Sequence, residues 1–351
     1  MSFDFIRDIS LCSRPNGLAG WALRNPLRLF LGLWHTDRNG QRSLSEIFRS
    51  VCNRPGNCIL FHFLILLIFN FSIASAQSSK DNGKIIGIGI GAAALYGGSM
   101  VVLNQYWYAN YPKSDFHFFN DNAEWMQMDK FGHFFTSYYE GYCGMTVFEW
   151  AGMPAKKAMW YGGTWGLLMQ TPIEIMDGFS SEWGFSWGDE LANTLGSALL
   201  IAQQYAFGQQ LIKPKFSYMP TEFAAMNPNE FGTSPIENGL KDYNGQNYWF
   251  SYPFSSIAPL RSFPTWFSIS IGFGAKGMLR GTAVDQKNGP RFAHYERSRQ
   301  FLLSFDINTA NIYTKSVVAN DALTAISWIK VPSPTIEYSR YRGFKAHLLY
   351  F

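Results

Sequence analysis

Charge and cysteine are what this chain has least of. Only 15% of its 351 residues are Asp, Glu, Lys or Arg, against 47% hydrophobic and 17% aromatic, a balance that is charge-poor for a protein surrounded by water. Of the four cysteines, Cys12, Cys52 and Cys58 precede or begin an apolar run, so cleavage after that run leaves Cys143 alone. A single thiol excludes a disulfide within the mature chain. Its apolar neighbours mark Cys143 as a buried, inert thiol rather than a nucleophile.

The apolar run itself, CILFHFLILLIFNFSIASA at 58–76, contains no Lys, Arg, Asp or Glu, follows an Arg-rich segment and ends in Ala74-Ser75-Ala76. That is the pattern of a cleaved secretory signal peptide. The alternative is an uncleaved anchor, for which 19 residues containing His62 and Asn70 are short. Gln77, not Cys, follows Ala76, so no lipoprotein anchor is expected. Residues 1–57 then form a non-native or disordered leader. They carry eight of the 29 basic and four of the 25 acidic residues, and 58–76 carries none, which leaves 21 of each sign in 77–351. The formal charge of +4 therefore belongs to the leader. No basic patch with interleaved aromatics argues for nucleic acid.

Residues 85–112 carry no charge and are long enough for a helix. Further helices are expected over about 129–150, ended by Gly152-Met153-Pro154, over about 155–175, and over 189–212, ended before Pro214. These read as a four-helix bundle, 77–215, whose many internal glycines fit close helix contact in a membrane or a dense core. Residues 216–262 read as an irregular, aromatic-rich segment, and 263–351 as a smaller β-rich C-terminal part. In that part 266–274, 299–307 and 335–341 alternate as strands do, with a helix near 315–329. Three to five strands are too few for a closed transmembrane barrel, which takes about eight. The expected fold class is thus mainly α: a four-helix, membrane-associated apolar bundle followed by a smaller β-rich part.

Up-and-down connectivity gathers the start of the second helix, the end of the third and the start of the fourth at one end. That end is acidic, and the other holds Lys80, Lys84, Lys156, Lys157, Lys213 and Lys215. Four spanning helices would put the lysine end in the cytoplasm, whereas a cleaved signal puts the first helix outside. A periplasm-facing bundle lying on the membrane, lysine end toward anionic lipid, satisfies both.

On the acidic end, Asp129 and His133 are four residues apart, Glu174 and Asp177 three, and Asp189 and Asn193 four, so each pair shares a helix face. One imidazole with several carboxylates suits a divalent metal, with His133, Asp129, Glu174 and Asp177 as candidate ligands. It equally suits an acid/base site in which His133, Asp129, Glu174, Asp177 and Asp189 are the catalytic candidates. The structural alternative has Asp129 and Asp189 serving helix N-termini while His133 bonds across the bundle. Lys130, Asn193 and Ser186 are candidate ligand-binding residues, Lys130 being equally a partner for a carboxylate. Ser186 lies in Gly-Phe-Ser-Trp-Gly, 184–188. A nucleophile elbow needs a preceding strand, so Ser186 reads as a helix N-cap with Asp189 at the third helical position. Gly87-Ile-Gly89-Ile-Gly91-Ala92 has no acid until Asp115 and no preceding strand, so no nucleotide cofactor is expected.

The stretches DKFGHFFTSYYEGY (129–142), EIMDGFS (174–180) and GFSWGDELANTLG (184–196), with KDYNGQNYWFS, RSRQFLLSFDIN and IKVPSPTIEY downstream, resemble the long Bacteroidetes-type members of the YfiM-like family of predicted periplasmic or envelope proteins. The spacing of DK-x-x-H and D-x-x-x-N-x-x-G is also similar to VanZ-like membrane proteins, though Gln170, Glu174 and Asp177 replace the usual Glu-Gln-Arg pattern. The resemblance implies a bacterial envelope location and brings no reaction. Two readings stay open. One is an envelope protein whose polar end binds a ligand, a membrane lipid or a protein partner; the other is an enzyme acting on a lipid or cell-wall precursor.

Overall fold

Helix α1, Met128–Trp150, is the element against which the following helices and the first strands of the sheet pack. A computed structural model of the chain describes residues 112–351 and scattered positions between 83 and 101, all within one compact unit, Pro55–Phe351. The leader, the signal or anchor and most of 85–112 lie outside the described residues; between 85 and 101 the described positions, such as Gly87, Gly91 and Val101, are helical. Helix α1 ends where Gly152 takes a φ of 85°, before Pro154 starts the next turn. Helices α2, Ala155–Gly163, and α3, Trp165–Gly178, replace the single helix expected over 155–175, with a break at Thr164. Helix α4 runs Trp187–Phe207 and ends on left-handed Gly208. Glycines explain how closely α3 and α4 approach α1. A Cβ at Gly166 would collide with Ser137 O, and one at Gly196 with Phe134 O. The glycines thus serve a dense core.

The rest of the chain builds one six-stranded antiparallel sheet, β1 Lys213–Tyr218, β2 Gln246–Pro253, β3 Phe267–Lys276, β4 Ser298–Ile307, β5 Ser333–Ser339 and β6 Gly343–Tyr350, in sequential order. The sheet curls on itself. Residues 328–330 bond to the free edge of β1, Phe216 N–H to Trp328 O at 2.9 Å and Lys330 N–H to Phe216 O at 2.9 Å. Across the hollow, Tyr350 of β6 meets Trp249 of β2, ring centroids 6.1 Å apart. The inward face is polar and buried: Lys215, Ser251, Ser270, Asp306, Thr335 and Glu337 all lie on it. The outward face is apolar. Helix α1 covers β1, β2 and the Phe273 end of β3, Phe131 stacking on Phe273 at 5.2 Å and Phe134 meeting Phe250 at 5.6 Å, while Ile271 of β3 stays 54% exposed. Met128, Phe135, Tyr248, Ala275 and Met278 form the core of that contact.

This corrects the expected fold class. The chain is not a mainly α, membrane-associated apolar bundle with a minor β part. It is an α+β protein in which a six-stranded antiparallel sheet packs against the helices, and among the described residues no helix is long and apolar enough to cross a membrane. The physical reason is visible on α4, whose buried positions include the polar Asp189, Asn193, Ser197 and Gln203 beside Ala192, Gly196 and Leu200. The segment 216–262 holds part of β1, all of β2 and three short helices. It hides its strands because β2 carries aromatics on both faces, Trp249 inward and Tyr248 and Phe250 outward. The lysine end also differs from expectation: Lys215 is buried in the sheet, bonded to Asp306 at 2.7 Å, and does not face lipid.

Candidate functional site

The first turns of α1 and α4 and the last turn of α3 meet at one end, and loop 113–121 closes over them. Backbone bonds fasten that loop to the loop before α4, Phe119 N–H to Phe185 O and Phe185 N–H to His117 O, each 3.0 Å. The chain enters α1 through three left-handed residues, Trp125, Met126 and Gln127, at φ values of 42°, 51° and 62°. Each costs roughly 1–2 kcal/mol, and Trp125 is held there by Phe231 and Tyr243 at 5.7 and 5.5 Å.

Ser186 caps α4, its Oγ accepting from Asp189 N–H at 3.1 Å. The same hydroxyl donates to Asp121 Oδ1 at 2.6 Å, and the Ser186 N–H donates to Glu174 Oε2 at 3.2 Å. One residue therefore ties three elements together. Lys130 Nζ sits among three carboxylates, 2.8 Å from Asp121, 2.9 Å from Asp189 and 3.3 Å from Asp129. His133 lies beside them. Its Nδ1 is 3.2 Å from Asn193 Oδ1, and its Nε2 faces Glu174 Oε1 at 3.6 Å and Asp189 Oδ1 at 4.0 Å. The imidazole is 22% exposed, whereas Glu174, Asp189 and Asn193 are buried.

Burial sets the protonation of this cluster. It pushes Glu174 up to about 8 against the attraction of His133, and Asp189 up to about 6. Burial also opposes charging His133, but Asp189 and Glu174, helped by Asp129 and Asp177, outweigh it and raise the imidazole above its usual value. Lys130 is raised in the same manner, burial being overcome by Asp129 and Asp189. Asp121 is lowered, because bonds with Asp189, Lys130 and Ser186 exceed its burial cost. Near neutral pH, then, Glu174 holds a proton that an arriving cation would displace.

Two ligand groupings exist here among the described residues: His133, Glu174 and Asp189, and Asp121, Asp129 and Asp189. The Lys130 ammonium already stands in the second. The first is open. It joins His133 and Glu174 to Asp189; Asp129 faces Lys130 instead, and Asp177 acts on His133 and Glu174 through charge. Asp129 Oδ1 and Asn193 Nδ2 are buried without a hydrogen-bond partner. Asp121 is the site residue that the helix-face argument missed, since it sits on a loop where residue spacing carries no direction. Its place in an acidic loop before α1 was the available signal.

Residues 115–204 match a protein-family model described as a predicted periplasmic lipoprotein family (DUF2279). The helical part of this chain is similar to a periplasmic family. The matched stretch contains every residue of the site, from Asp121 to Asn193, and ends before the sheet. It agrees with the envelope location read from the sequence but does not extend to the YfiM-like or VanZ-like resemblance. The lipoprotein description stands against the expectation, drawn from Gln77, of no lipid anchor. No curated protein and no solved structure matches the chain.

Proposed function

We propose that this is a cell-envelope protein whose helical end binds a divalent cation of the zinc class through His133, Glu174 and Asp189, and uses the remaining coordination position for a small polar envelope ligand. The observation that carries the reading is the gap around His133 Nε2, 3.6 Å from one carboxylate oxygen and 4.0 Å from the other. These are too long for hydrogen bonds yet close to the spacing of roughly 3.4 Å between ligands that each stand about 2.1 Å from a tetrahedral zinc. Three protein ligands with an open fourth position are the pattern of zinc sites that act on a bound molecule. The surroundings support it. Asn193 Oδ1 faces the other imidazole nitrogen and Ser186 N–H holds the far oxygen of Glu174, the outer contacts that orient metal ligands. Lys130 competes for Asp189 Oδ1 at 2.9 Å and retains Asp121 and Asp129 when that oxygen turns to the cation. An enzyme acting on a lipid or cell-wall precursor is the form this site takes when the bound ligand carries a scissile bond.

Isothermal titration of the purified protein with zinc tests the reading. One cation per chain is expected, with heat that depends on the buffer because protons leave the site. His133→Ala and Glu174→Gln each weaken binding by at least about tenfold. Zinc binding that both variants leave unchanged, or none at all in the wild type, removes the proposal.

A further inference from the structure

The sheet's outward face carries two rows of side chains that run across all six strands. One row is Phe216, Tyr248, Phe273, Phe301, Tyr338 and Phe344, each paired in register with the next. Helix α1 buries the first half of it through Phe131 and Phe135. The second half is bare, Phe301, Tyr338 and Phe344 being 45%, 43% and 79% exposed. The parallel row behaves alike: Phe250 lies under Phe134, while Leu303 and Ile336 stand open. Along β4 and β5 the alternation is apolar outward and polar inward except at Arg299 and at Leu302, which packs inward beside Trp249, so the hollow holds Ser304, Asp306, Thr335 and Glu337 while Phe305 and its neighbours face out. A sheet facing water has the opposite pattern.

We infer that this bare β4–β6 wall lies against an anionic lipid surface. Apolar, outward-facing strand positions closed off by aromatics at both ends are the pattern of a sheet in contact with lipid. Here Tyr341 stands at the β5–β6 hairpin, and Trp266 and Phe263, both exposed, stand at the opposite end of the strands. The hairpin also carries Arg340 and Arg342, both exposed, while Lys345 pairs in register with inward Glu337 and belongs to the other face. The acid on these two strands, Glu337, points inward to His347 at 2.8 Å, so the rim presents cations alone. That charge complements phospholipid headgroups; a second copy laid on it wall to wall would bring only more of the same sign. The contact is a face laid on the bilayer and is independent of the cation site.

The test uses the full chain with Cys12, Cys52 and Cys58 changed to Ser and an environment-sensitive fluorophore placed through Leu303→Cys, or through Lys287→Cys on the exposed short helix 283–288 as control. Because the label reports locally, an anchor elsewhere in the chain does not obscure it. With vesicles of phosphatidylethanolamine and phosphatidylglycerol, the label at 303 shifts to the blue and is quenched by nitroxide on the acyl chains, and the label at 287 is not. Combined Arg340→Glu and Arg342→Glu lowers the vesicle affinity of the wall by about 25-fold, at roughly fivefold per basic residue. A label at 303 that stays solvent-like on vesicles overturns the inference. So does a blue shift without lipid that grows with protein concentration, which assigns the wall to a second copy.

Discussion

Two buried ionic clusters, one at the end of the helices and one inside the sheet, solve the desolvation of charge differently. Inside the sheet, Lys215, Lys330 and Asp306 are wholly buried, and every strong group is bonded. Lys215 Nζ reaches Asp306 at 2.7 Å and donates to Ile307 O at 2.8 Å, while Lys330 Nζ donates to Phe305 O and Val331 O, both 2.7 Å, beneath the Trp249 ring. At the helical end, acids outnumber bases, His133 is partly open, and its contacts to Glu174 and Asp189 are long. In the sheet cluster Lys330 stands 3.6 Å from Asp306, but each ammonium and the carboxylate has a bond of 2.8 Å or less, as a group that holds strands together should. The helical cluster keeps protons on carboxylates and leaves polar atoms unpaired, as a group waiting for a ligand should.

The sharpest way to break this comparison is to remove one acid from each cluster. Asp306→Asn leaves two buried lysines without a counter-charge and should cost roughly 3–5 kcal/mol of unfolding free energy. Glu174→Gln at pH 7 replaces a carboxyl that already holds its proton and should cost less than about 1 kcal/mol. Urea denaturation of both variants decides it. Equal losses would make the helical cluster as structural as the one in the sheet.

The pH dependence should also run in opposite directions. In protein freed of metal by chelator, Glu174 rises from 4.5 to about 8, Asp189 from 3.8 to about 6, and His133 lies above its usual value. Folded protein then holds more protons than the unfolded chain from about pH 4 to 8, so this end loses stability as pH rises through that window. Burial lowers Lys330 from 10.5 to about 8 despite Asp306. There the folded state holds fewer protons between 8 and 10.5, and stability rises with pH. Denaturation midpoints at pH 5, 7 and 9 should show a slope that Glu174→Gln flattens below 8 and Lys330→Met flattens above it. Variants with wild-type slopes would separate these groups from the effect.

The helical half was legible because helix periodicity gives direction: Asp129 with His133, and Asp189 with Asn193, fall on shared faces whatever the partner element. Glu174 joins them because α3 ends where α1 and α4 begin. The class of the fold was not legible. In β1 and β2 the inward face carries Lys215, Asn247 and Ser251 and the outward face Phe216, Tyr248 and Phe250. Such a pattern, interrupted by Pro214 and inward Trp249, does not mark a strand until its partners are known. The pairing of Lys215 with Asp306 closes over 91 positions of chain and is set by register, which local spacing does not encode.

Ser186 offers the smallest effect and a finer discrimination. Its hydroxyl caps α4 and binds Asp121, while its N–H positions Glu174, so Ser186→Ala removes the first two contacts and keeps the third. Loss of the cap alone is worth about 1 kcal/mol. Because the backbone bond to Glu174 survives, zinc affinity should fall far less than in Glu174→Gln, and Ser186→Gly should recover most of the lost stability, since glycine is a tolerable N-cap. Thermal denaturation and zinc titration of the two variants separate capping from ligand positioning. Should Ser186→Ala weaken zinc binding as much as Glu174→Gln, the hydroxyl's bond to Asp121 would itself be part of the cation site, and the division between capping residues and binding residues at this end would have to be redrawn.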